Sequence, residues 1–229
     1  MVNKNGNKII KALVTGLFIL WFILGQNIMA NDVRNEFEKS YQLWKEHCKK
    51  VAYSSRLEDR FNSPYYEEII KLGPQILPYI VEKVRSDKDF VWIAWAGRRV
   101  ASISSDPNVN PWAKESMLTW WEGGQKQTNE RFELLYEEWK NARARGSYNE
   151  ASRIEKKIKM SLGIAVFSPI MEKLEHGDEN VIPLIQDMTD NEVNVKEQSV
   201  AEKVNTYKTW WDGNKKRLTV PFPDQQAIE

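Results

Sequence analysis

Residues suited to nucleophilic or acid–base chemistry are scarce in this chain of 229 residues, which contains two histidines and one cysteine. His47 and Cys48 are neighbours in a segment predicted to be helical, where adjacent side chains point about 100° apart and cannot act together as base and nucleophile. His176 stands before Gly177 at a predicted helix end, where the helix dipole favours a cation and a capping role is expected. We therefore predict no catalytic residue and interpret the protein as non-enzymatic.

Paired acids are the next candidates, because glycoside hydrolysis needs two carboxyl groups across a cleft. Three pairs are close in sequence: Glu67 with Glu68, Glu137 with Glu138, and Asp187 with Asp190. Exposed acids are also ordinary on helical proteins, so these pairs support only an alternative function. No spacing typical of a zinc, calcium or redox-cysteine site occurs. The sequence therefore predicts no metal and no cofactor, and its single cysteine cannot form an intrachain disulfide.

Tryptophan is the third candidate type, since ten of them occur and aromatic rings form sugar-stacking platforms and peptide-binding pockets. Trp120 and Trp121 recur as Trp210 and Trp211. Adjacent rings on a helix cannot share one face, so we expect one ring of each pair in the core. Three residues at helical spacing share the face of Trp211: Val200, Val204 and Tyr207. Trp121 and Trp211 are therefore the predicted core members, and Trp120 and Trp210 are the candidate partner-binding residues.

The repeated tryptophans belong to a tandem duplication that four anchors define, one of which is the Pro-x-Ile sequence at 78–80 that returns at 183–185, an offset of 105 residues. A Phe-Glu-x-x-Tyr-x-x-Trp-Lys pattern at 37–45 returns at 132–140, an offset of 95 residues. The Ser-Pro pair at 63–64 returns with an offset of 105, and the Thr-Trp-Trp sequence at 119–121 returns with an offset of 90. The changing offsets indicate that the second copy gained ten residues before its Ser-Pro pair and lost fifteen before its double tryptophan.

The duplication also predicts the domain organisation. We expect helical repeat unit 1 at residues 31–124, unit 2 at 125–215 and an irregular C-terminal tail at 216–229. An apolar stretch at 90–103 predicts a central helix of unit 1 that other helices enclose. The fifteen-residue loss predicts that unit 2 lacks a counterpart of this helix.

Cap residues and apolar periodicity predict helices along the chain that follows residue 30. The expected helix starts are Ser63, Ser147 with Glu150, Ser168, and Asn194 with Glu197, and the expected stops are Gly73, Gly124 and Gly213. No alternating β-branched pattern bounded by hairpin turns occurs, so the predicted fold class is all-α. Paired helices repeated in tandem favour an α-solenoid-like stack built from the two duplicated units.

The stretch Ile70-Lys71-Leu72-Gly73-Pro74-Gln75-Ile76-Leu77-Pro78-Tyr79-Ile80 resembles the Gly-Pro-x-Ala-Leu-Pro-x-Leu element of bacterial HEAT-like repeats. Ile76 replaces the alanine of that element. The helix with the double tryptophan is similar to the closing segment of exported members of the group. This resemblance covers most of the chain after residue 30. It implies a helical-repeat fold and a binding role, and it implies no particular activity.

Residues 1–30 have the pattern of an export signal, with lysines at the start, an apolar stretch at 12–25 and Ala30 before the expected cut. The apolar stretch is short for a membrane span, so we expect a cleaved signal peptide and a periplasmic or secreted protein. Ile28 is larger than the residue usually found two positions earlier, which leaves an uncleaved membrane anchor through residues 12–29 as the alternative.

Without the first thirty residues the formal charge falls from +1 to −2. This near balance does not favour a nucleic-acid partner, which would need a basic face. We predict an exported, non-enzymatic helical-repeat protein that binds a protein or peptide partner in a groove between its helices. The alternative is a cell-envelope carbohydrate-binding or hydrolytic protein that uses exposed tryptophans and paired acids, and a membrane-anchored structural protein is the third hypothesis.

Overall fold

The computed structural model describes residues 32–87, 90, 92–103, 114–189 and 193–223. Every regular element in these ranges is helical, which confirms the all-α prediction. The predicted signal peptide at 1–30 lies outside the described residues. Within them, no helix combines the length and the apolar character that a membrane span requires.

The α-helices are, in chain order, α1 (32–50), α2 (Glu58–Phe61), α3 (Pro64–Lys71), α4 (Leu77–Ser86), α5 (Ile93–Val100), α6 (Lys114–Ala144), α7 (Tyr148–Leu162), α8 (Phe167–Glu175), α9 (Ile182–Met188) and α10 (Val200–Leu218). Short 3-10 helices at Pro74–Ile76, Gly163–Val166 and Glu179–Val181 lead directly into α4, α8 and α9. Both α4 and α9 carry a proline in their first turn, where its missing N–H costs no intrahelical hydrogen bond.

The chain divides into two compact units, one ending at Tyr66 and the other beginning at Glu67. This division falls within α3 and therefore differs from the division that the sequence repeat suggests. The repeat boundaries, 31–124 and 125–215, stay a prediction.

In the first compact unit, α1 buries the aromatic face that its periodicity predicts. Phe37, Tyr41 and Trp44 are at most 1% exposed, and the rings of Phe37 and Tyr41 stack with centroids 5.8 Å apart. The indole N–H of Trp44 donates a 2.7 Å hydrogen bond to the carbonyl of Arg60, and its ring lies 4.9 Å from that of Tyr66. This unit is therefore organised around an aromatic cluster.

In the second compact unit, α4 packs on α5 and α6, α6 packs on α7, and α10 packs on α8. The matching aromatic face recurs in α6, where Phe132, Tyr136 and Trp139 are at most 1% exposed. The centroids of Phe132 and Tyr136 are 5.4 Å apart. The same three positions of the repeated pattern are thus buried in both copies.

The helix with the double tryptophan ends where its glycines predict. Gly124 has a φ of 62° within α6, a conformation that suits glycine, and the hydroxyl of Thr128 donates to its carbonyl at 3.0 Å. The kink separates a helix with Trp120 and Trp121 from a long helix that continues to Ala144. The second helix begins directly after the kink.

The expected helix starts at Ser63 and Ser147 are correct in position, because α3 begins at Pro64 and α7 at Tyr148, whereas those at Ser168 and Asn194 are wrong. The hydroxyl of Ser63 is buried without a hydrogen-bond partner among the described residues, and Ser168 lies inside α8 rather than before it. Ser147 precedes α7 but makes no side-chain cap. Instead of Asn194, Ser199 caps α10, through a reciprocal capping box with Glu202.

The helix predicted at 90–103 is shorter and less enclosed than expected. The helix α5 buries Ile93, Ala96 and Val100, whereas Arg99 is exposed and Trp95 is half-buried. It is therefore a one-sided helix. Unit 2 shows no helix in the described residues 193–199 between α9 and α10, which agrees with the predicted absence of a counterpart there.

The irregular tail begins later than predicted. The helix α10 continues through Gly213 to Leu218, because a glycine inside a helix is tolerated at a cost of about 1 kcal/mol. Val220 and Phe222 are at most 1% exposed. The segment after α10 is therefore part of the packed structure.

Candidate functional site

Each tryptophan pair packs against one phenylalanine. Trp120 and Trp121 contact Phe222, with ring centroids 4.9 and 5.6 Å apart. Tilted aromatic pairs at such distances add roughly 0.5–1.5 kcal/mol beyond the burial of area. The contact fixes the end of the described chain against α6.

The second tryptophan pair also packs against a phenylalanine, which lies on a different helix. Trp210 and Trp211 contact Phe167, at the start of α8, with centroids 5.6 and 6.3 Å apart. Trp211 is 9% exposed and Trp121 is 4% exposed. The predicted core members are thus confirmed as the buried ones.

The candidate partner-binding residues Trp120 and Trp210 are half-buried. The indole N–H of Trp120 is buried and has no acceptor within the described part of the chain. Both rings are engaged by a phenylalanine rather than displayed freely. Their partner-binding role stays a prediction.

An open groove of about 560 Å³ lies beside Trp121. It is lined by Pro78, Val81, Glu82, Arg85 and Ser86 of α4, by Trp121 of α6 and by Pro223 after α10. The four lining positions 78, 81, 82 and 85 follow the i, i+3, i+4, i+7 spacing of one helix face. The groove is therefore the surface between that face of α4, the tryptophan helix and the tail.

Two charged side chains line the groove, those of Glu82 and Arg85. The guanidinium group of Arg85 donates to the carboxylate of Glu122 at 2.9 Å. Both side chains are more than half exposed, so this ion pair contributes little stability and is easily exchanged for another partner.

Sequence reasoning missed the tail as a wall of this groove. Pro223 follows Phe222, which is fully buried. The ring of Phe222 contacts the tryptophan pair of α6 and so holds the tail against that helix. The sequence pattern that could have indicated this packing is the alternation of apolar residues and prolines at 220–223. The glycine at 213 obscured that signal, since it suggested an earlier end of the ordered chain.

A second cavity of about 300 Å³ is lined by Glu133, Pro169, Glu172, Lys173, His176 and Asp178. The ammonium group of Lys173 lies 2.8 Å from the carboxylate of Glu133 and 4.9 Å from the centroid of the Tyr136 ring. The lysine of this cavity is therefore paired with one of its three acids, Glu133.

Asp178 is held in its ionised form. Burial raises the pKa of this carboxyl group, but hydrogen bonds from Tyr136 and from Asn180 more than offset that effect and leave the pKa below its ordinary value. A general acid at neutral pH needs the opposite shift. Asp178 therefore acts as a hydrogen-bond acceptor for neighbouring groups.

The histidines and the cysteine have separate partners. Burial raises the pKa of the Cys48 thiol to about 11, against an opposing effect of Arg60. His47 Nε2 lies 2.8 Å from the carbonyl oxygen of Asp59. His176 forms the C-cap of α8 and its Nδ1 lies 2.7 Å from the carbonyl of Glu172, which confirms the predicted capping position.

The acid pairs named from sequence lie beside cations. Three ion pairs involve them: Glu67 with Arg99 at 3.0 Å, Glu137 with Lys140 at 3.1 Å, and Asp187 with Lys159 at 3.4 Å. Asp190 lies outside the described residues. The sequence did not indicate Glu155, whose pKa burial raises and the nearby Asp187 carboxylate raises further, while Arg143 and Lys159 oppose the shift.

Across the described ranges, no group of three or more histidine, cysteine, aspartate or glutamate side chains could hold a metal ion. No protein-family model, no curated protein and no solved structure matches this chain.

Proposed function

We propose that this protein is an exported, non-enzymatic helical-repeat protein that binds a segment of another protein in the groove beside Trp121. The observation that carries the proposal is the composition of the groove. Its floor combines a rigid aromatic ring with Pro78, Val81 and Pro223, and its edge carries the exchangeable charge of Arg85. Binding sites for protein segments commonly have such an apolar centre and a polar rim.

The groove defines the chemistry of the partner. A bulky apolar side chain would rest on Trp121 and the two prolines. A neighbouring carboxylate would compete with Glu122 for Arg85, which can form two parallel hydrogen bonds with a carboxylate. The partner is therefore a chain segment with an apolar residue next to an acidic one.

We also propose that the helices form an α-solenoid-like stack of two duplicated units, as in HEAT-like repeat proteins. Two observations support this proposal. The same three aromatic positions are buried in α1 and in α6. At the 105-residue offset, Pro74–Ile76 before α4 corresponds to Glu179–Val181 before α9.

Export belongs to the same proposal, because residues 1–30 have the composition of a signal peptide. We expect a periplasmic or secreted chain that starts at Asn31. Mass spectrometry of the protein from its native cells tests this expectation. A chain that starts at Met1 in the membrane fraction would contradict it and favour the anchor through residues 12–29.

A photo-cross-linking amino acid at Ser86 tests the binding function in native cells. Ser86 is exposed and lines the groove, whereas Ser168 is exposed on α8 and is a matched control position. We expect one dominant cross-linked protein from position 86 that is absent from position 168. Identical product patterns from the two positions would contradict the proposal.

The hydrolytic alternative has one specific observation in its favour, the raised pKa of Glu155 beside Asp187. A carboxyl group with a raised pKa next to a second carboxyl group is the arrangement that a glycosidase uses. A glycan array and a hydrolysis assay with Glu155→Gln as the control separate this alternative from protein binding. Glycan hydrolysis that this variant abolishes would replace the main proposal.

A further inference from the structure

The outer face of α7 carries three cations that nothing on the described chain neutralises. Arg153, Lys156 and Lys157 are exposed and have no ion-pair or hydrogen-bond partner among the residues that the structure describes. The opposite face of the helix is buried through Ala151, Ile154, Ile158 and Leu162. The helix is thus amphipathic, with its apolar face committed to the core.

Packing against the core explains the apolar residues on the inner face of α7, but it does not explain the cations on its outer face. The helix α7 lies where the second copy gained its ten residues, whereas the first copy has the four-residue α2 at the corresponding place. The acids of α7 do not balance its cations, because the helix carries four basic residues and only two acids, Glu150 and Glu155, and Glu150 lies 3.3 Å from Arg145 outside the helix. The added helix therefore presents net positive charge to the solvent.

An exposed aromatic ring stands at the N-terminal end of α7. Tyr148, the first residue of α7, is 75% exposed, and Tyr53, which occupies the same repeat position 95 residues earlier, is 102% exposed. Core packing cannot explain an aromatic residue that recurs while remaining exposed. Tyrosine is favoured where a surface has an apolar and a wet side, as at the boundary of a membrane.

From these observations we propose that the outer face of α7 binds an anionic lipid membrane surface. The three cations contact lipid phosphates, and the ring of Tyr148 lies at the level of the headgroups. The helix rests on the surface without entering it, because its apolar face is already covered. A convex helix face with net positive charge fits a planar layer of negative headgroups better than it fits a protein segment, which needs a concave site.

Vesicle co-sedimentation of the full chain tests this proposal, with vesicles of phosphatidylcholine alone and of equal parts phosphatidylcholine and phosphatidylglycerol. The readout is the comparison of wild type with charge variants, because the lysines and the apolar stretch of the N-terminal segment are the same in all of them. We expect preference for the anionic vesicles, and its loss when salt screens the charges. Each cation near an anionic surface contributes roughly a fivefold gain in affinity.

The triple variant Arg153→Gln, Lys156→Gln, Lys157→Gln should therefore bind anionic vesicles on the order of 100-fold more weakly. The control variant Lys39→Gln, Lys71→Gln, Lys126→Gln removes the same charge from other exposed positions and should bind within about threefold of the wild type. Equal losses in both variants, or no preference for anionic vesicles, would overturn the proposal. Binding of the wild type to an acidic protein or to nucleic acid, without binding to the anionic vesicles, would overturn it as well.

Discussion

The phenol of Tyr136 donates a 2.8 Å hydrogen bond to the carboxylate of Asp178, and this bond connects the long helix α6 to the start of the 3-10 helix before α9. Asp178 also accepts a hydrogen bond from the backbone N–H of Asn180, as the N-cap of that element. One ionised carboxylate thus holds together a helix and a turn that are distant in sequence.

This relationship predicts a pH-dependent effect of Tyr136→Phe. Because the pKa of Asp178 in the folded protein lies below its ordinary value of 3.8, its contribution to stability is present above that value and is lost as the pH falls through the lower folded pKa. The variant should lose about 1 kcal/mol at neutral pH, the typical worth of such a bond. Urea unfolding at neutral pH and near pH 3 measures the difference, and an equal loss at both pH values would contradict the assignment.

Substitution by alanine should have opposite effects on stability at two glycines. Gly163 has a φ of 60°, and a Cβ there would meet the carbonyl oxygen of Ala101, which already accepts a hydrogen bond from Ile164 at 3.0 Å. Gly163→Ala should therefore destabilise the protein by at least about 2 kcal/mol. Gly213 lies inside α10 with open space around it, so Gly213→Ala should stabilise by up to about 1 kcal/mol.

Chemical denaturation of the two alanine variants tests both statements. A Gly163→Ala variant that is as stable as the wild type would contradict the described backbone conformation at this position. A loss of stability in Gly213→Ala would indicate that α10 ends at the glycine.

The tryptophan pairs predict unequal costs of truncation. Trp211→Ala removes a ring that is 9% exposed and should cost about 3–5 kcal/mol. Trp210→Ala removes a half-buried ring with one aromatic contact and should cost about 1–2 kcal/mol. Thermal or urea unfolding gives both values, and a larger loss for Trp210→Ala would reverse the assigned faces.

Cys48 should be unreactive in the folded protein. The thiolate is the nucleophile, and burial raises the pKa of this thiol to about 11, so only a small fraction is ionised near pH 8. Labelling with a thiol reagent should be slow in native buffer and fast in guanidinium chloride. Rapid stoichiometric labelling of the native protein would show that the first helix does not bury this residue.

The repeated aromatic pattern was predictable because it depends on local periodicity. The buried faces of α1 and α6 follow from spacings within one helix, and Trp211 shares its face with Tyr207, which is also buried. The kink at Gly124 was also predictable from sequence, since a pair of glycines is typical of a helix end or a turn.

Features that depend on distant contacts were not predictable. Two capping patterns of the same spacing precede α10, Asn194 with Glu197 and Ser199 with Glu202, and the local sequence does not choose between them; the structure uses the second. The groove depends on Pro223, whose position is set by the contact of Phe222 with Trp121. A ring contact between residues about a hundred positions apart leaves no local pattern in the sequence.

The groove beside Trp121 is the central claim of this account, and one affinity tests it most directly. The measurement is isothermal titration calorimetry of the segment that cross-links at position 86, with wild type, Ser86→Glu and Ser168→Glu. The substituted glutamate at 86 places a negative charge at an exposed position of the groove beside Arg85 and repels the acidic residue of the segment, so it should weaken binding by at least about tenfold, whereas Ser168→Glu should bind as the wild type does. Equal affinity of the wild type and Ser86→Glu for that segment would contradict the claim.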